Sequence, residues 1–212
     1  MKNRISWTPL AAVILAVLMA GVTGKTFLKS RQGLSRPAAE GLPVFGRIPD
    51  FSLTDQQGSK ISRNDLSGKI WIADFIFTRC AGVCPLMTQK MSTLTRQLGG
   101  LPDIRFVSFS VDPDHDSSQV LAEYAKRFSA DPGKWFFLTG DKRKIYDLSE
   151  QHFHLGVGEI PFEEREALDQ SVLHSSRFVL VDREGEIRGY YDTEEIGFLE
   201  PLERDVKILL RG

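Results

Sequence analysis

The chain has 212 residues, of which 42% are hydrophobic and 26% charged, so it can bury one ordinary core and is not a disordered polymer. The charge is uneven. Residues 1–36 carry six basic residues (Lys2, Arg4, Lys25, Lys29, Arg31, Arg36) and no acidic ones, leaving 21 basic against 28 acidic in the remainder. That acidic body argues against a nucleic-acid binder, which needs a basic face. With only two cysteines, Cys80 and Cys84, a disulfide-stapled scaffold and an all-cysteine four-ligand zinc site are excluded.

Ile5 to Gly24 is a 20-residue stretch without a charge, bounded by Arg4 and Lys25. As a helix it spans about 30 Å, the thickness of a bilayer's hydrocarbon core, and reads as a transmembrane anchor. Val22-Thr-Gly24 also offers the small residues of a signal-peptide cleavage site, so a cleaved leader is the rival reading. Residues 25–46 then read as a tether, and the folded domain is expected over 47–212.

Pro49 to Gly58 alternates apolar and polar residues, and with Lys60-Ile-Ser62 predicts an opening hairpin. Asp65 to Gly68 is a turn. Lys69 to Phe77 is a near-continuous apolar run of strand length, the pattern of a strand covered on both faces. Pro85 to Leu98 places Leu86, Met87, Met91, Leu94 and Leu98 at helical spacing, and Gly99-Gly100 ends the helix. A strand over Ile104–Val111, a helix over Ser117–Phe128, a short strand over Lys134–Leu138 and a helix over Lys142–Gln151 follow. Arg177–Val181 and Glu186–Tyr191 form a second hairpin, and Ile196–Leu210 closes the chain as an amphipathic helix. Strands alternating with helices, then a terminal hairpin and helix, predict a mixed α/β sandwich.

Cys80-Ala-Gly-Val-Cys84-Pro85 sits where the central strand ends and a helix begins. Two thiols four residues apart across such a turn can face one point and can form a disulfide. The helix N-terminus is expected to lower both thiol pKa values and favour thiolate, the form that attacks disulfides and binds soft metals. The bland alternative is a pair of inert core cysteines. His174 stands directly ahead of the strand at Arg177. A lone histidine is usually a surface or core residue, but a strand's start at the end of a sheet is where functional groups collect. His115, His152 and His154 compete with it for any metal role. Asp112-Pro-Asp-His-Asp116 reads as a turn with Asp116 or Ser117 capping the next helix, and alternatively places Asp112 beside the cysteines. Glu159 to Asp169 is an acidic insertion, read as a solvated loop or as an arm that carries His174 to the thiols.

These residues resemble the Sco/SenC family, membrane-anchored copper proteins of cytochrome c oxidase assembly. The resemblance runs from about Pro49 to Tyr191. It rests on Asp50-Phe-Ser-Leu, on Phe75-Ile-Phe-Thr-Arg-Cys-Ala-Gly-Val-Cys-Pro85, on Ser110-Val-Asp-Pro-Asp-His-Asp116, and on the distal Leu173-His-Ser with the hairpin Val181-Asp-Arg-Glu-Gly185. It implies a thioredoxin-like fold with copper, as Cu(I) or Cu(II), held by Cys80, Cys84 and His174. It further implies an extracytoplasmic (periplasmic) domain that delivers copper to the copper-site subunit of the oxidase or to another cuproprotein. The chain departs from the family pattern at Ala81, where proline is common, and at Leu173, where an acidic residue is common. Two thiolates and an imidazole suit copper chemically, and oxidation of the thiols to a disulfide would release the metal. A thiol–disulfide oxidoreductase, with Cys80 and Cys84 as its redox pair, is the alternative. A thiol peroxidase fits less well, because Thr78 lacks the expected surroundings.

Overall fold

The computed structural model describes residues 41–156, 158–159, 172–173 and 175–211. The expected anchor at 5–24 and most of the tether lie outside them, as do His174 and most of the acidic insertion. Among the described residues no helix is long and apolar enough to cross a membrane.

The central strand is β4 (Ile70–Ile76), reached through β1 (Gly46–Arg47), β2 (Ser52–Thr54) and β3 (Lys60–Ser62). Every residue of β4 is buried, as the apolar run requires of a strand covered on both faces. Helix α1 (Val83–Leu98), β5 (Ile104–Ser110), α2 (Ser118–Arg127) and β6 (Trp135–Leu138) complete a strand–helix series. β4, β5 and β6 pair in parallel. α3 (Lys142–Asp147) is prolonged by one wider turn, Leu148–His152. Then come the short pair β7 (Gly158–Glu159) and β8 (Val172–Leu173), the hairpin β9 (Arg177–Val181) and β10 (Glu186–Asp192), and α4 (Leu199–Arg211). The main sheet runs β1-β10-β9-β4-β5-β6, with β9 antiparallel to β4. This is the expected α/β architecture with a mixed sheet.

The opening hairpin β2–β3 covers the far edge of the sheet. Thr54 and Thr139 exchange backbone hydrogen bonds at 2.8 Å in both directions. Gln56 donates to the Trp135 carbonyl and accepts from the Phe137 amide, so the exposed ladder of β6 is partly satisfied. On one face of β4, Trp71 and Phe75 meet Phe153 edge-on, and Phe75 stacks on Phe109 at 5.0 Å. Phe153 lies at the end of the wide turn and is fully buried.

Helix boundaries differ from the sequence reading in two places that have physical causes. α4 begins at Leu199 rather than Ile196 because Gly197 takes φ +81°, a left-handed conformation that no helix continues through, and Ile196 is left exposed. α1 begins at Val83, two residues before Pro85, so that Cys84 falls inside its first turn. Its buried stripe is Cys84, Met87, Thr88, Met91, Leu94 and Leu98, whereas Leu86 faces outward with 62% of its surface exposed.

Candidate functional site

Because β4 and β5 are parallel and β9 runs against them, the C-terminal ends of the first two and the start of the third meet at one end of the sheet. In parallel sheets this is the end where binding sites form. Three segments converge there: the loop from β4 to α1, which carries Cys80; the loop from β5 to α2, which carries Asp112 and Asp116; and Ser175–Ser176 leading into β9. Ser176 is fixed in turn by Thr193, whose amide and hydroxyl both donate to the Ser176 carbonyl.

Cys80 closes a turn in which its amide donates to the Phe77 carbonyl at 3.3 Å. Cys84 follows at the second position of α1. Both are in the dithiol form and both are buried, Cys80 at 6% exposure and Cys84 at 0%. The two thiols are in hydrogen-bond contact. The pair therefore already faces one point, as the four-residue spacing predicts.

The expected lowering of both thiol pKa values is not what happens at Cys84. Burial pushes that thiol well above its ordinary range; the hydrogen bond between the two thiols and the neighbouring Cys80 and Asp74 side chains add to the rise, and a backbone hydrogen bond from Phe77 opposes it. The helix terminus contributes a fraction of a charge, and desolvation outweighs it at a site this deep. Tyr124 is raised by the same cause, burial, with Cys84 and Asp74 adding to it. Its hydroxyl lies 2.9 Å from the Thr88 hydroxyl, which donates to the Cys84 carbonyl at 2.8 Å.

Asp112 lies beside the cysteine loop through Arg79. Its Oδ2 accepts from Arg79 Nη2 at 2.6 Å and Nε at 3.1 Å, and Arg79 is the residue before Cys80. Asp116 does not cap α2; Ser117 does, accepting from the Val120 amide. Asp116 instead accepts from the Thr78 amide and hydroxyl and from the Ser110 hydroxyl. The sequence reading singles out neither Asp74 nor the pinning of Thr78 and Arg79. The one available signal for Asp74 was a carboxylate inside an otherwise apolar run.

Of the other histidines, His115 is exposed on the loop between Asp112 and Asp116, and His152 stands 3.7 Å from the Asp147 carboxylate. His154 has a positive φ of 53° and lies against Gly46. Among the described residues no three histidine, cysteine, aspartate or glutamate side chains gather as a metal site. His174 is outside that set, and the arm proposed to carry it is too, except for Glu159.

A dithiol on a strand-to-helix loop, at one end of a mixed sheet, defines a thioredoxin-like thiol protein. The chain belongs to the SCO1/SenC family, whose model matches residues 45–208. It is 35% identical over 167 residues to the SCO1 protein homolog of Bacillus subtilis, covering 78% of this chain and 83% of that one. Among solved structures, it is similar to BsSco, described as a member of the Sco family of cytochrome c oxidase assembly proteins with a disulfide switch. The TM-score is 0.66 and the identity 29%, over 80% of this chain and 98% of that one. Yeast Sco1 with copper bound matches at a TM-score of 0.60 and 27% identity, over 78% of this chain and 90% of the other.

Proposed function

We propose that this chain is a membrane-tethered copper chaperone that holds copper through Cys80, Cys84 and His174 and delivers it to the binuclear copper site of cytochrome c oxidase. The observation that carries the reading is the contact between two buried thiols at the sheet end where β9 begins, in a chain of the SCO1/SenC family. Copper bound in yeast Sco1 and the oxidase-assembly role of the Sco family support it. The uncharged segment Ile5–Gly24 would hold the domain at a membrane, on its extracytoplasmic side.

The donor set fits the cargo. Thiolates are soft ligands that select Cu(I), and an imidazole completes a low-coordinate site. Cys84 is held as a neutral thiol by burial, so loading copper must displace its proton. Cys80 is the less deeply buried residue of the two and is where an incoming or departing metal would first be met. Asp112 would act from behind, through Arg79, without touching the metal.

A second reading is a thiol–disulfide oxidoreductase that reduces the cysteines of a cuproprotein partner. The contact between the two thiols favours it as well, and the disulfide switch described for BsSco adds support. His174→Ala separates the two. An imidazole that donates to copper takes no part in sulfur exchange, so its loss should weaken Cu(I) binding by well over the roughly 10–100-fold that outer-shell partners contribute, leaving reduction of a model disulfide intact. His152→Ala and His154→Ala should match the parent. The measurement is a Cu(I) chelator competition on reduced protein beside a disulfide-reduction assay. Unchanged copper affinity with impaired reduction would move His174 into thiol chemistry and favour the oxidoreductase.

A further inference from the structure

The turn that carries Cys80 is held from outside the thiol site. Its two central residues, Thr78 and Arg79, are each gripped by a carboxylate of the loop between β5 and α2. The two grips differ in kind. Arg79 pairs with Asp112 from a half-exposed position, where solvent weakens an ion pair. Thr78 is bound by Asp116, which is fully buried. Asp116 Oδ1 accepts from the Thr78 hydroxyl at 2.5 Å, and its Oδ2 accepts from the Thr78 amide at 3.1 Å and from the Ser110 hydroxyl at 2.5 Å. Ser110 Oγ in turn accepts from the Asp112 amide, which links the two grips. Burying a carboxylate is costly, and it is tolerated where several donors satisfy it. Here two of the three donor groups belong to the thiol loop.

We propose that Asp116 is a positioning residue of the thiol pair: through Thr78 it fixes the turn that holds Cys80 against Cys84, and so sets both metal affinity and disulfide stability. The copper half of this statement rests on the function proposed above; the disulfide half does not. Holding two reacting groups in place raises their effective concentration, and a turn released from its anchor lets one sulfur wander. A wandering Cys80 weakens a chelated metal and a disulfide together, because both need the two sulfurs at one point.

The test uses the full chain and three variants. Thr78→Val removes the hydroxyl at nearly constant shape, Thr78→Ser restores it, and Asp116→Asn alters the acceptor. Two readouts are taken. One is Cu(I) competition on the reduced protein. The other is equilibration of the Cys80–Cys84 pair with dithiothreitol: oxidised dithiothreitol accepts two electrons and the two thiol protons, becoming the dithiol as the protein disulfide forms. By the size of outer-shell effects, Thr78→Val is expected to bind Cu(I) about tenfold more weakly and to hold its disulfide at least about threefold less stably, with Thr78→Ser within about twofold of the parent. Asp116→Asn should follow Thr78→Val; should it fail to fold, Thr78→Val carries the test alone. Equal behaviour of Thr78→Val and the parent in the disulfide readout overturns the proposal, as does a Thr78→Ser variant as impaired as Thr78→Val. If the parent itself binds no Cu(I), the copper function fails, and the disulfide readout still decides the role of Asp116.

Discussion

The protonated state of Cys84 has a measurable consequence for stability. Its thiol is pushed above the ordinary value of about 9 in the folded protein, chiefly by burial, whereas in the unfolded chain water restores that ordinary value. A raised folded pKa means that the native state keeps its proton after the unfolded state has lost it. The stabilisation is therefore complete below the unfolded pKa and is lost as pH rises towards the folded one. Stability should fall on the alkaline side, with a limiting slope of about 1.4 kcal/mol per pH unit for this one group. Between pH 7.5 and 9.5, ionisation of an unfolded thiol near pKa 9 should remove about 0.8 kcal/mol. Tyr124 and Tyr190 are also raised by burial, but their own loss starts mainly above pH 10 and cancels in a comparison of variants. The assay is urea unfolding followed by the fluorescence of the buried Trp71 and Trp135, at several pH values, with a phosphine reductant and a copper chelator present. The parent should lose about 0.8 kcal/mol more than Cys84→Ala across that window. Parallel pH dependences for the two proteins would show that the Cys84 thiol is not held neutral and that burial does not govern its proton.

Phe153→Ala should destabilise the domain by about 3–5 kcal/mol, because the ring is fully buried against Trp71, Phe75 and Phe109. A loss under about 1 kcal/mol in urea unfolding would mean that the pocket collapses around the deletion. A chain of residues 37–212 should fold and stay soluble without the first 36, since the described core runs from Leu42 to Val206. Size-exclusion chromatography and near-ultraviolet circular dichroism would check this, and an aggregated product would contradict it.

Much of this protein is legible in one dimension. The run Lys69–Phe77 announces a strand buried on both faces because such burial leaves no position for alternation, and all seven residues of β4 are buried. The hairpin turn at Asp182–Gly185 is readable because Gly185 must take φ +81° while the Asp182 carboxylate accepts from the Glu184 and Glu186 amides. Spacing alone puts Cys80 and Cys84 within reach of each other, since a turn and the start of a helix are local structures. The resemblance to the Sco/SenC family likewise rests on short motifs.

Other features belong to the tertiary structure. Leu86 is apolar beside an apolar stripe, yet it is exposed, because the face of α1 that packs on the sheet is the one carrying Cys84, Met87, Met91, Leu94 and Leu98, about 100° away around the helix. The sequence predicts lowered thiol pKa values from the helix terminus; depth of burial, which no local pattern encodes, reverses the result at Cys84. Asp116 looks like a helix cap from its neighbours, but its partner Thr78 is 38 positions away and reaches it only because β4 and β5 lie side by side in register. Local periodicity and turn chemistry thus determine the elements and the thiol pair. Which carboxylates stand behind that pair, and whether Cys84 holds its proton, is decided by contacts between segments far apart in the chain, and by the water that those contacts exclude.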